Sequence, residues 1–362
     1  MGAAPCGRQI ASRRSRAPEP APLETLFEQR LAREVALPSR LAELYGSLFL
    51  PARSGWPHVI GNFVSSLDGV VALSLSDQTG GGEISGFNAE DQMIMGLLRA
   101  IADVVIVGAG TLRSAPRHLW TAEAICRPLA GPYAELRASL GKPLAPLNVV
   151  VSASGALDLT LPVFASGKVP ALIVTSPAGE RRLRESDLPP SVRLAVGGEV
   201  GGSAPDANAS RRVPPVAPSE QQPASLAPLD PGSAGEAADS GHFEPGRRAE
   251  AEAATASQGV YGGEAGLISA GAVLEAVLAS QPAEVVLTEG GPRLMSEFLA
   301  EGLLDELFLT LAPQVAGREP GAERPGFVAG RHFLPDDPRW GSLVSLKRAG
   351  SYLFLRYAFG RR

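Results

Sequence analysis

The chain is short of the residues from which many kinds of site are built. Its 362 residues include two cysteines, four histidines and three lysines. Cys6 and Cys126 give neither a disulfide framework nor a C-x-x-C metal pair, which suits a reducing compartment, and the cytoplasm is the expected location. His58, His118 and His332 are scattered without ligand spacing, and no metal is expected. His242-Phe-Glu244 copies the H-x-E element of zinc deaminases, yet no cysteine follows Cys126 to supply the C-x-x-C partner. No run approaches the ~20 apolar residues of a membrane span. Arg13-Arg14-Ser15-Arg16 is followed by Pro, Glu and Ala instead of the apolar stretch of an export signal. A net charge of −5 argues against a nucleic-acid partner despite the arginine bias. G-x-S-x-G and Walker motifs are missing too.

What is present is a globular pattern, 44% hydrophobic, interrupted twice. Residues 1–22 are rich in Arg, Pro and Ala without periodicity and read as a disordered tail. Between 201 and 264 the aromatics are Phe243 and Tyr261 alone and isoleucine is absent, so this stretch reads as a disordered insertion in a surface loop. The remaining 23–200 and 265–362 form one expected domain. Leu23 to Leu50 has helical spacing, with Leu41, Leu44, Tyr45 and Leu48 on one face and Ser39 as a cap, which predicts a leader helix.

From Val59 onward short apolar runs alternate with amphipathic segments. Strands are expected at Val59–Val64, Val104–Val107, Leu147–Val151, Leu172–Thr175, Val192–Val196 and Val285–Thr288, in an α/β sheet covered on both faces. The best-marked helix is capped by Asn88, with Asp91 completing a capping-box-like pair and Met93, Ile94, Leu97, Leu98 and Ile101 in one stripe. Helices are also expected at Leu267–Leu278 and from Pro292 to about Glu301, followed by a strand at Leu307–Leu311. Two further strands, Leu343–Lys347 and Tyr352–Ala358, flank a turn at Ala349-Gly350, giving a C-terminal antiparallel hairpin on a mainly parallel sheet.

Three segments carry chemistry. Val104-Val-Ile-Val-Gly-Ala-Gly-Thr111 runs a buried strand into Gly108, Gly110 and Thr111, where backbone amides and a helix start can hold an anion. The pattern alone serves a simple turn equally well, and Arg113 occupies the third-glycine position of the Rossmann fingerprint. Glu289-Gly-Gly-Pro-Arg-Leu294 again follows a strand and opens a helix, with Pro292 suited to its first turn. Gly290 and Gly291 there offer bare amides to a pyrophosphate, against the plainer reading of a tight strand-to-helix connection. Two such turns in one sheet favour a dinucleotide. The third segment, Asn62-Phe-Val-Ser-Ser-Leu-Asp-Gly-Val-Val-Ala72, leads through an Asp-Gly turn toward Gly80-Gly81-Gly82, a loop able to cover a substrate; pattern alone makes it an ordinary β-turn.

Together, and with Leu304-Asp-Glu-Leu307 and Leu353-Phe-Leu-Arg-Tyr357, these segments resemble the pyrimidine reductase family. That family comprises the reductase domain of bacterial bifunctional riboflavin-biosynthesis deaminase/reductases and the stand-alone actinobacterial-type reductases. The resemblance spans about residues 40–200 and 265–360. It implies a dihydrofolate-reductase-like three-layer α/β fold, NADPH as hydride donor, and a homodimer paired through the C-terminal part of the sheet. It further implies cofactor contacts from Val64, Gly108, Gly110, Thr111, Gly290, Gly291, Pro292, Arg293 and Leu294, and substrate contacts from Arg99, Glu289 and, more loosely, Leu119. An arginine suits a sugar phosphate through its fork of donors. The implied reaction reduces the ribosyl group of a ribosylaminopyrimidine phosphate to ribityl, with Asp68 and Glu289 as the candidate proton-handling groups.

Two departures stand out. Where the bifunctional enzymes carry Thr-x-x-x-Asp-x-Pro, this chain has Ala115 in the carboxylate position, and the deaminase domain is absent. A pterin or another small heterocycle is therefore an alternative substrate, and a non-catalytic NADPH- or flavin-binding dimer an alternative role.

Overall fold

The computed structural model describes residues 19–52, 55–73, 81–197, 268–319 and 324–360. The expected insertion at 201–264, most of the 1–22 tail, His242 and the loop leading to Gly80 lie outside the described residues. The chain opens with strand β1 (Glu24–Glu28), β2 (Arg33–Glu34), helix α1 (Ser39–Tyr45) and β3 (Phe49–Leu50). Next come β4 (His58–Ser65), α2 (Gly81–Ser85), α3 (Ala89–Ile101), β5 (Val104–Gly108), α4 (Ala109–Ser114), α5 (Ala122–Ile125) and α6 (Ala130–Ser139). They are followed by β6 (Leu147–Val151), α7 (Pro162–Ala165), β7 (Ala171–Thr175), α8 (Pro177–Arg184) and β8 (Val192–Val196). The C-terminal part supplies α9 (Ala270–Ser280), β9 (Val285–Thr288), α10 (Pro292–Ala300), β10 (Glu306–Leu311), β11 (Gly341–Ala349) and β12 (Tyr352–Phe359).

Ten strands form one mixed sheet in the order β1-β11-β12-β10-β4-β9-β5-β6-β7-β8. From β10 to β8 every neighbouring pair is parallel, whereas β12, β11 and β1 join antiparallel. The period-2 alternation of the buried strands splits the apolar residues between two cores. Ile60, Val105, Val107, Val150, Ile173 and Leu287 pack with α1, α3 and α6 on one face. Val59, Val104, Ile106, Val149, Leu172 and Val286 pack with α9 and α10 on the other. The result is the three-layer α/β arrangement expected from the sequence.

Helix α3 forms as its sequence indicates. Asn88 Oδ1 accepts from the Asp91 amide at 2.8 Å, and all five stripe residues are buried. Burying five such side chains contributes on the order of 10 kcal/mol before chain entropy is charged against it. The box is not reciprocal, however: the Asp91 carboxylate accepts from the hydroxyls of Thr310 and Ser85 instead of turning back to Asn88.

The leader helix is a correction. Only Ser39–Tyr45 is helical, and Pro38, not Ser39, occupies the cap position, without a side-chain hydrogen bond. Glu24–Glu28 instead pairs antiparallel with β11. An isolated helix of that composition is marginal, and the open edge of β11 offers its backbone groups a better partner. Among the described residues no helix is long and apolar enough to cross a membrane.

Candidate active site

Strand β9 lies between β4 and β5, so the C-terminal ends of all three strands emerge side by side. In parallel sheets this edge is where ligands are held, because chain ends and helix starts converge there. The three segments singled out from the sequence meet at this edge. A Cβ placed on Gly291 would lie 3.9 Å from Thr111 Oγ1, which puts the turns after β5 and β9 against each other.

The glycines of these turns do different things. A Cβ on Gly108 would meet nothing within 4 Å, and one on Gly110 would meet only the Arg113 guanidinium, at 4.0 Å. Gly108 has φ −87°, which any residue adopts, so its missing side chain leaves open space and answers no backbone need. Gly290 is the opposite case: a Cβ there would sit 2.5 Å from Leu294 Cδ2, so its role is packing. Helices α4 and α10 both begin without a side-chain cap, and Pro292 opens α10. Gly108, Gly110 and Gly291 thus leave open space, a cradle, where α4 and α10 begin, and the first amides of a helix lack intrahelical partners, a fit for the phosphates of a dinucleotide. Arg113 and Arg293 are exposed beside it. Val64 is buried under α2 with Val70 and Ile84, and Leu119 packs half-buried on the core.

Below the cradle lies a buried ion pair. Arg99, on α3 and 2% exposed, donates from Nε to Glu289 Oε1 at 3.0 Å and from Nη2 to Oε2 at 2.6 Å. Its Nη1 reaches His118 Nε2 at 2.7 Å and the Thr121 carbonyl at 3.2 Å, and Nη2 also contacts Met95 Sδ at 3.4 Å. All five guanidinium donors have acceptors. The fork that the resemblance assigns to a sugar phosphate is therefore turned on Glu289. His118 is held neutral, pushed down to about 3 by burial and then by the Arg99 charge, so its Nε2 acts as an acceptor. Its ring stands edge-on to Trp120 with centroids 5.3 Å apart.

Asp68 closes the expected Asp-Gly turn, and Gly69 takes φ +79° there. Its Oδ1 accepts from Ser66 Oγ at 2.6 Å and the Ala316 amide at 3.0 Å, and its Oδ2 from the Gly317 amide at 2.9 Å. The Ser66 hydroxyl first, then these amides, hold the carboxyl down at about 2. Asp68 is thus a carboxylate at neutral pH that ties the turn after β4 to the loop after β10.

Three participants escaped sequence reasoning. His118 was dismissed for lacking ligand spacing, since nothing local reveals its partner on α3. Asn62 stands half-buried in β4, paired with Phe308 and one residue beyond the Gly61–Thr288 pair that leads to Glu289. Asp91 was read only as a cap partner. It is 5% exposed, accepts from Thr310 and Ser85, and is pushed up to about 6 by burial, with Glu289 adding to the rise.

Comparison with known proteins places the chain in a family. A family model described as the RibD C-terminal domain matches residues 57–192 and 251–337. No curated protein sequence matches the chain. Among solved structures, a pyrimidine reductase-like protein from Corynebacterium diphtheriae is 18% identical with a TM-score of 0.49, over 84% of this chain and 93% of its own. RibD from Acinetobacter baumannii is 17% identical, TM-score 0.48, over 85% of this chain. A deaminase/reductase from Thermotoga maritima is 16% identical, TM-score 0.47, over 84%. The match spans 59% and 57% of those last two chains. The family match covers more than half of the sequence and includes every segment that builds the crevice. The chain belongs to the RibD C-terminal domain family.

Proposed function

We propose that the protein is an NADPH-dependent reductase that converts the ribosyl group of a ribosylaminopyrimidine 5′-phosphate to ribityl, working in the cytoplasm as a homodimer. The observation that carries this reading is the open glycine cradle directly above the buried Arg99–Glu289 pair. Gly108, Gly110 and Gly291, with Thr111 and the amides of Arg293 and Leu294, would hold the pyrophosphate. Arg113 and Arg293 are the cations available to a further phosphate. When bound, the nicotinamide supplies a hydride. The chain's own task is to align the acceptor carbon and exclude water. Glu289, fixed by the Arg99 fork, presents an oriented carboxylate at the end of β9.

A second reading has its own support. Every donor of Arg99 is committed within the chain, and Ala115 stands where the family motif has a carboxylate. Both favour a heterocycle without a phosphate, such as a pterin. The homodimer rests on β11 and β12, whose outward residues Leu346, Leu353, Leu355 and Tyr357 are half-exposed and belong to neither core, with Phe27 on the neighbouring β1 46% exposed. A second copy would cover this face.

Oxidation of NADPH, followed at the nicotinamide absorbance with the deaminated ribosylaminopyrimidine phosphate, tests the assignment. Turnover supports it. Tight NADPH binding without turnover on this substrate moves the assignment to another heterocycle or to a non-catalytic binding role. Failure to bind NADPH refutes the reductase reading.

A further inference from the structure

We propose that His118 is a positioning residue: it holds the Arg99 fork side-on to Glu289 and so fixes that carboxylate beside the glycine turns. The proposal rests on the reductase reading above. A guanidinium can meet a carboxylate along more than one edge. Arg99 uses its Nε–Nη2 edge, with Glu289 at 3.0 and 2.6 Å. The Nη1–Nη2 edge would serve a carboxylate or a phosphate as well, because it too presents two parallel N–H groups. In this chain Nη1 is already taken. One hydrogen goes to His118 Nε2 at 2.7 Å and the other to the Thr121 carbonyl at 3.2 Å. Arginine has no lone pair to offer, so Nε2 is the acceptor and the ring proton sits on Nδ1.

The contacts form a closed circuit through the candidate site. The His118 N–H donates to the Ala115 carbonyl at 3.0 Å, and the Ala115 N–H to the Thr111 carbonyl at 3.1 Å, which ties His118 to the turn after β5. From His118 the path crosses Arg99 to Glu289 and then follows the chain through Gly290 to Gly291. An added Cβ on Gly291 would lie 3.9 Å from Thr111 Oγ1, which brings the circuit back to its start. The imidazole is the side chain that joins the turn after β5 to the ion pair.

Its own seat is firm. The ring stands edge-on to Trp120, which is 2% exposed, and the Trp120 N–H donates to Asn148 Oδ1 on β6 at 3.0 Å. Groups whose rotamers are locked in this way keep the alignment that hydride transfer demands. Without the Nε2 acceptor, one Nη1 hydrogen is unpaired in a buried place, and the guanidinium gains by turning that edge toward Glu289 or a bound anion.

Two substitutions in the full chain separate this role from simple packing. His118→Phe keeps a ring against Trp120 and removes the acceptor; His118→Gln gives up the ring and keeps an oxygen for Nη1. With NADPH and the deaminated ribosylaminopyrimidine phosphate, His118→Phe should lower kcat/KM about 10-fold or more while NADPH affinity stays within about twofold. His118→Gln should recover most of that loss. The reverse order, with the phenylalanine variant active and the glutamine variant impaired, would mean that the ring only fills space, and would overturn the proposal. Nitrogen-15 NMR of the wild-type imidazole, assigned with His118→Phe, reads the contact without turnover. From about pH 5 to 8 the proton should sit on Nδ1 with Nε2 bare; a proton on Nε2 in that range would overturn the proposal. If the wild type turns nothing over, the reductase reading fails, and the ring tautomer together with the exchange rate of the Arg99 Nε–H, expected to rise about 10-fold or more in His118→Phe, decides the positioning role.

Discussion

Replacing Glu289 with glutamine probes the tightest contact in the crevice. The wild-type carboxylate takes two charge-assisted bonds from Arg99, at 3.0 and 2.6 Å, with the side chains 2% and 9% exposed. Glutamine keeps one acceptor and turns an NH2 toward the guanidinium, so a buried cation loses its counter-charge where water cannot replace it. Breaking such a pair costs about 3–5 kcal/mol. The His118 and Thr121 acceptors still hold Nη1, which places the loss near the lower end, at about 3 kcal/mol. For a domain of this size that lowers Tm by about 6–12 °C. Urea and thermal unfolding by circular dichroism would measure it. Arg99→Met combined with Glu289→Gln should recover much of the loss, because no uncompensated charge remains. A single variant within about 2 °C of wild type would refute the reasoning.

Three other outcomes follow from the same geometry. Gly110→Ala should leave folding intact or raise stability by about 0.5–1 kcal/mol, since it replaces a helical glycine in open space, yet weaken NADPH binding at least tenfold; Gly108→Ala should weaken it likewise. Fluorescence titration beside a melting curve separates the two effects. Burial raises Asp91 from 3.8 to about 6, so the folded chain keeps a proton that the unfolded chain loses, and this contribution is full below pH 4 and vanishes as pH rises past 6. The stability of Asp91→Asn relative to wild type should therefore climb by about 3 kcal/mol between pH 4 and 8, and a flat difference in urea melts would contradict it. If the proposed homodimer forms through β11 and β12, Leu355→Arg on that half-exposed face should leave a monomer in light scattering without a large change in the melting temperature of the subunit.

Much of the architecture was legible because buried parallel strands declare themselves as apolar runs and because Asn88 and Pro292 mark helix starts locally. Strand β1 was not, since Glu24-Thr-Leu-Phe-Glu28 is short and polar and its pairing with Lys347 and Arg348 lies more than 300 residues along the chain. The site divides in the same way. The glycine turns of the candidate site are local and stand out in the sequence. The Arg99–Glu289 pair is separated by 190 residues, and only the family resemblance placed both in the site. Asp91 looked like an ordinary cap partner because its carboxyl answers to Thr310, which sequence spacing cannot bring near. The Ala316 and Gly317 amides that donate to the Asp68 carboxylate come from a distant loop, which sequence spacing cannot bring near.

The position of β4 governs the order in which the protein can be built. Both of its neighbours, β9 and β10, come from residues 285–311, whereas β4 itself ends at Ser65. During synthesis this strand leaves the ribosome with neither edge satisfied, and more than 200 residues must follow before a partner exists. β5 is in the same condition on one side, because β9 belongs there. A chain stopped short of β9 would hold two central strands with open edges, the state from which sheets mispair and aggregate. Such a sequence separation makes assembly slow, and it makes expression of the protein sensitive to chaperone supply and to truncation of its last quarter.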